Sequence, residues 1–312
     1  MEIIHTFFLI LTLLAACTGS KYEIPAPVNG DGNQGGKPEE QVTPGDDVPP
    51  GSLYADGKDE ATYDLILARG YNMEAPDTSG EHAQQPFRHI RQSWDATLEK
   101  YVFDFYIHLL NDDDRGLPNI TDRQRNEIKT DGKSPESMVA KNEGETLRMT
   151  WKFLLPAGMK TTTKFCHVHQ LKGIDNSAGT ADVGNPLITY TCRSQSNGTQ
   201  QFQVIYVGRT EDNTGNVYLA KADLADFLGE WVSVEETVTF AKDGRYQLKI
   251  TRMRDGKQLV SVDKKGVDLW RQGATGMRPK WGIYRSFGEG RSLGGELRDE
   301  VLKFADFLIV KQ

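Results

Sequence analysis

Cysteine is scarce in this chain of 312 residues. The three that occur, Cys17, Cys166 and Cys192, have none of the short paired spacings of a zinc site. No apolar run is long enough to cross a bilayer: the stretch from Thr6 to Ala16 falls short of the roughly 20 residues a spanning helix needs. Positive charge is in deficit, with 37 Lys and Arg against 44 Asp and Glu and a net charge of −7. That argues against general nucleic-acid binding, and it means that any site for a polyanion must be a local basic patch. No repeat recurs at a fixed period. Helical patterns are few, and Ala222–Leu228 predicts one or two turns at most.

What is present begins at the N-terminus. The apolar stretch has the length of a signal-peptide core, although its flank carries no Lys or Arg. It ends in Leu14-Ala15-Ala16-Cys17, small residues before a cysteine, which matches the bacterial lipobox. The expectation is cleavage before Cys17, lipid on its thiol and new amine, and an exported protein anchored in the bacterial cell envelope. Residues 18–52 are rich in Gly, Pro, Asn and Asp and read as a tether that cannot build a core. Residues 53–312 then form one domain, large for the usual domain but normal for a single sandwich or barrel. An oxidising compartment would permit a Cys166–Cys192 bridge, and two buried free thiols fit equally well.

Strand signals dominate that domain. Segments such as Thr146–Leu154, Trp231–Phe240 and Tyr246–Arg252 alternate apolar and polar residues, while Tyr101–Leu109 is aromatic and β-branched. Asn197-Gly198, Asp243-Gly244 and Asp255-Gly256 supply hairpin turns. Many short strands with regular turns predict an all-β, antiparallel β-sandwich of the jelly-roll kind. Val301–Val310 reads as a closing core strand in which Asp306 is the odd polar residue.

Four segments could carry chemistry. In Asp122–Lys129, strand alternation puts Arg123, Arg125, Glu127 and Lys129 on one face. Such a row is either a stripe for a carboxylate or sulfate, which arginine forks fit, or a solvated edge strand. In Phe165–Gly173, alternation puts Cys166, Val168, Gln170 and Lys172 on one face and His167, His169 and Leu171 on the other. Two histidines at i, i+2 could ligate a metal, but no third ligand is evident, so the expectation is no metal here. In Arg278–Ser286, Lys280, Gly282, Tyr284 and Ser286 share a face, with room at Gly282 for a ligand to approach the backbone. Asp112-Asp113-Asp114 could hold a structural calcium and is more often a solvated turn.

Taken in order, three of these segments resemble signatures of the jelly-roll (concanavalin A-like) polysaccharide lyases, the alginate, glucuronan and heparin lyases. Arg125-Asn126-Glu127-Ile128-Lys129 resembles Arg-Ser/Thr-Glu-Leu/Val-Arg. Gln170-Leu171-Lys172-Gly173 resembles Gln-Ile-His or Gln-Trp-His-Gly. Pro279-Lys280-Trp281-Gly282-Ile283-Tyr284 resembles Tyr-Phe-Lys-x-Gly-x-Tyr. The resemblance covers about residue 100 onward. Glycoside hydrolases of similar architecture need a Glu-x-Asp-x-x-Glu strand, which is absent.

The resemblance implies a concanavalin A-like jelly roll acting on an acidic polysaccharide; with the charge and the lipobox, the expectation is a monomer with no cofactor and no nucleic-acid partner that touches the membrane only through its lipid. It also implies β-elimination. A uronate carboxylate is neutralised, a base removes the proton at C5, and an acid protonates the departing 4-oxygen. Tyr284 would then be the acid and a candidate base, with Lys280 and Arg125 pulling its pKa toward phenolate. Gln170 and Arg125 would bind the carboxylate, and Arg123, Glu127, Lys129, Arg278 and Lys280 would complete the substrate face. Lys172 stands where the signature has histidine, so the base is Tyr284, His169, His167 or Lys172, with His169 needing a bulge to share that face. A non-catalytic glycan-binding protein of the same fold is the alternative.

Overall fold

The computed structural model describes residues 48–78, 87–115, 117, 119–208 and 215–312, all within one compact unit, Thr43–Gln312. Cys17, the signal segment and the tether up to residue 47 lie outside the described residues. The sandwich begins with Ser52–Leu53 (β1), which pairs with the closing strand.

Two antiparallel sheets pack face to face. The eight-stranded sheet runs in the order Gln258–Val267 (β13), Gly244–Arg252 (β12), Trp231–Thr239 (β11), Thr146–Leu154 (β6), Glu300–Lys311 (β15), Lys100–Ile107 (β4) and Ile90–Asp95 (β3), with β1 also on β15. The seven-stranded sheet runs Asn216–Asp223 (β10), Gln200–Val207 (β9), Ile188–Ser194 (β8), Cys166–Ile174 (β7), Gly276–Ser286 (β14), Arg123–Lys129 (β5) and Asn72–Glu74 (β2). This is the antiparallel jelly-roll sandwich that the alternation predicted. The three Gly-containing turns join β8 to β9, β11 to β12 and β12 to β13.

Alternation builds the core. In β6, Leu147, Met149, Trp151 and Phe153 point inward and are at most 2% exposed, and Trp151 meets Trp281 of the other sheet edge-on. Each such side chain contributes about 1.5–3 kcal/mol by leaving water. Cys166 and Cys192 are free, buried thiols, so no bridge forms. Asp306, at φ 56°, sits where β15 slips register, and its carboxylate leaves the core to meet Lys100 and Lys152. The Ala222–Leu228 segment ends β10 and makes one short 3-10 turn at Leu224–Asp226 rather than α-helix. Among the described residues the one α-helix lies earlier, at Thr62–Ala68, with Thr62 and Ile66 buried. Among the described residues no helix is long and apolar enough to cross a membrane.

Candidate active site

The outer face of β5, β14 and β7 collects the charged residues. Strand register sets them in rows. Tyr284 stands between Arg125 and His167, Gly282 lies against Glu127 with Glu74 beyond, Lys280 stands between Lys129 and Gln170, and Arg278 faces Lys172. The predicted face Arg123, Arg125, Glu127, Lys129 is present, because β5 alternates without interruption and sends Asn126 and Ile128 inward.

Strand β7 does not alternate as the sequence suggests. Its register shifts between His167 and His169, against β8. Two successive residues, Val168 and His169, therefore point into the core, each 1% exposed. The bulge moves Gln170 and Lys172 onto the face of His167, so the expectation for His169 is corrected. His169 Nε2 donates across the sandwich to Glu236 of β11 at 3.0 Å, and its ring packs 4.7 Å from those of Trp151 and Tyr190. The histidine beside Tyr284 is His167, with ring centroids 5.9 Å apart and the Phe165 ring 4.9 Å from each. Its Nδ1 is anchored on Thr191 Oγ1 at 2.8 Å, and its Nε2 makes no hydrogen bond among the described residues. Burial, together with Arg193, Arg125 and Lys280, pulls the His167 pKa down to about 3, so the ring is neutral at pH 7.

Tyr284 lies with its ring on the Arg125 guanidinium, 3.6 Å from centroid to Cζ, and its hydroxyl accepts from Arg123 Nη1 at 2.8 Å. The expectation of a phenolate is corrected: burial, with the Asp114 carboxylate, raises its pKa against the lowering by Arg125 and Arg123. Tyr284 is therefore a phenol at neutral pH, suited to giving a proton.

Arg125 and Gln170 are placed differently from the expectation that they grip a substrate carboxylate. Arg125 is fully engaged by the protein, with Nε on Asp114 at 2.8 Å and Nη1 on Glu127 at 2.8 Å and on Glu74 at 3.0 Å. The Gln170 amide donates to Glu127. Lys280 pairs with Glu74 and Glu127, each at 2.6 Å, and Lys129 with Glu74 at 2.7 Å. Burial alone would raise the carboxyl pKa of Glu74 and Glu127, but Lys280 and Arg125 lower both, Glu74 well below the usual range. These groups form a closed ionic lattice under the site. Glu74 and Asp114 were not legible as part of it, because each comes from a distant loop or edge strand.

Two further expectations are corrected. Gly282 has φ 142°, and a Cβ there would lie 2.1 Å from the Asn126 carbonyl oxygen. The glycine is needed for close approach of β5, not of a ligand. Lys172 is not brought to Tyr284: it faces Arg278, six residues along β14, roughly 20 Å of strand at 3.3 Å per residue. Its ammonium donates to the Gly184 carbonyl at 3.0 Å, and burial with Lys280, Arg125 and Arg278 lowers its pKa to about 8. The three aspartates do not converge. Asp114 serves Arg125 and Arg115, while Asp112 serves His89 and His108.

Cations without a partner remain. Among the described residues no protein oxygen lies within hydrogen-bond or ion-pair reach of the Arg193 or Arg278 guanidinium, and Arg193 Nε and Arg278 Nη1 are buried. Arg193 was not foreseen, since β8 gave no charged pattern. Beside Glu74 and Lys129 opens a cleft of about 510 Å³, with Arg88 and Arg115 on its wall.

No protein-family model and no curated protein matches the chain. Solved structures do. A family 14 alginate lyase from Aplysia kurodai superposes with a TM-score of 0.54 at 11% identity, over 84% of this chain and 98% of that one. A family 7 alginate lyase, A1-II′, superposes with a TM-score of 0.50 at 14% identity, over 78% and 95%. The fold is that of the jelly-roll polysaccharide lyases.

Proposed function

We propose that this chain is a polysaccharide lyase that cleaves a uronate-containing polymer by β-elimination at Tyr284 and His167. The observation that carries the reading is the row across β14 and β7 that sets a protonated phenol beside an anchored, neutral imidazole, with the unpartnered Arg193 two residues beyond Thr191 on β8. With Nδ1–H donating to Thr191, His167 Nε2 presents a lone pair for the proton at C5. The C5–H electrons form the C4–C5 double bond, the C4–O bond breaks, and the Tyr284 hydroxyl protonates the departing oxygen. Arg193 takes the place expected of Arg125 and Gln170 in neutralising the uronate carboxylate, where a guanidinium stabilises charge as it develops. Alginate, the polymer named for the structural neighbours, is the first substrate to try, with glucuronan and glycosaminoglycans beside it.

Tyr284→Phe tests this. The variant keeps the ring on Arg125 and should melt like the parent, retain polymer in an affinity gel, and lose about two orders of magnitude in the rate at which ultraviolet-absorbing unsaturated product appears. Turnover within a few-fold of the parent would remove Tyr284 from the chemistry.

One observation favours a second reading, a non-catalytic glycan-binding protein. Arg125 and Gln170 are spent on protein carboxylates. Polymer retained without unsaturated product, across alginate and more complex plant and host polymers, selects it. We also propose the lipid anchor at Cys17, for which Cys17→Ser should release the protein from membranes.

A further inference from the structure

Behind β5, on the side away from Tyr284, a second group of side chains converges. His89 precedes β3, and His108 and Asp112 follow β4. The Asn126 amide of β5 donates to the His89 carbonyl, and the Gln124 amide donates to the carbonyls of His108 and Asp112, so the backbones of all three are held against one strand. One ligand atom from each of the three residues lies within 4.8 Å of the others. His89 Nε2 is 3.0 Å from Asp112 Oδ1, and His108 Nδ1 is 3.2 Å from Asp112 Oδ2. Two ligands each about 2.1 Å from a tetrahedral ion stand about 3.4 Å apart, so small shifts of these atoms would admit one.

We propose that His89, His108 and Asp112 form a binding site for a zinc-like transition-metal dication. Imidazole nitrogens with one carboxylate suit zinc or cobalt better than calcium, which takes six or more oxygens. The surroundings have the form of a metal site's outer shell. Asp77, itself bound by the Tyr63 hydroxyl, holds His89 Nδ1 at 3.0 Å, which fixes the ring with Nε2 toward Asp112. The rings of Phe87 and Tyr106 wall the group at 5.0 Å and 6.3 Å from His108. His89 and Asp112 are 2% and 3% exposed at the side chain and His108 is 30%, so one side is open for entry and for a fourth ligand.

The site would brace the proposed active centre without joining it. Asp113, next to the ligand Asp112, accepts the Arg125 backbone N–H at 3.0 Å, and Asp114 holds the Arg125 side chain under Tyr284. Binding therefore does not depend on the lyase reading.

The test is to strip the full-length chain with chelator and titrate it with Co²⁺, then with Zn²⁺. One equivalent of Co²⁺ should give a saturable visible absorption band that Zn²⁺ removes, with a rise in melting temperature. His108→Ala is partly exposed and should stay folded, by its melting curve, while losing the band. Asp77→Asn should keep the band and weaken binding about 10–100-fold. No saturable band in the parent overturns the proposal. So does a His108→Ala variant that binds Co²⁺ as the parent does, which would place the ion elsewhere in the chain.

Discussion

The two outer faces of the sandwich carry the same kinds of side chain under different conditions. On the eight-stranded sheet, Glu235 stands 3.8 Å from Arg148 and 3.7 Å from Lys249, with all three side chains 45–55% exposed. On the seven-stranded sheet, Arg125, Glu127, Lys280 and Glu74 meet at 2.6–3.0 Å and none exceeds 11% exposure. Strand β2 and the Asp112–Asp114 segment supply Glu74 and Asp114 to that second face and take it out of water. Exposed pairs gain about 0–1 kcal/mol. A buried lattice is held by mutual need, since each charge left alone there is costly.

The comparison is broken most directly at Glu127. Glu127→Ala leaves Lys280 and Arg125 short of a buried partner and should cost about 3–5 kcal/mol in denaturant unfolding. A loss below 1 kcal/mol would mean that water reaches the lattice. Next come the two histidines of β7. His169→Phe keeps a ring against Trp151 but removes a donor from Glu236, and should cost about 1–3 kcal/mol while leaving polymer retention unchanged. His167→Phe should change stability less and abolish product formation. The opposite pattern would reassign the bulge.

A smaller effect is the pH dependence that His167 adds to stability. Its folded pKa is about 3, against about 6.5 when unfolded, so between those values the unfolded chain binds the extra proton. Stability from this group is complete above pH 6.5 and is lost as pH falls toward 3. Glu74 and Glu127 act below the usual carboxylate range, and His89, whose pKa Asp112 and Asp77 raise to about 9, acts with the opposite sign from about pH 6 upward, so the fall in slope between about pH 5 and 6 on His167→Phe measures this histidine. The smallest change belongs to the other face: Glu235→Ala should shift unfolding by no more than about 0.5–1 kcal/mol. A larger loss would erase the contrast between the faces.

Much of the fold was legible because strands announce themselves by period two. Thr146–Leu154 matched its strand residue for residue, and the β5 face followed from parity alone. The site was legible only where that parity ran unbroken. One bulge at Val168–His169 reversed the assignment of the histidines, and bulges leave no mark in a pattern that counts every second residue. Glu74 and Asp114 were invisible for another reason: they reach Arg125 across 51 and 11 residues of chain, and only tertiary packing brings them there. Lys172 looked like a catalytic substitute because neighbours in a motif need not be neighbours on a sheet.

Glu236 belongs to β11, and its side chain turns inward rather than toward solvent. It receives the hydroxyls of Tyr190 and Tyr246, each at 2.8 Å, and the ring nitrogen of His169 at 3.0 Å. Tyr190 and His169 come from one sheet, Glu236 and Tyr246 from the other. An oily interface tolerates sliding, since one apolar contact replaces another, but a carboxylate between two sheets does not. A shift by one pleat would strand it in hydrocarbon without donors, at a cost of several kcal/mol. Glu236 thus works as an alignment pin. The strand carrying His167 and Gln170 on its outer face is held in place from behind by a single acid on the opposite wall.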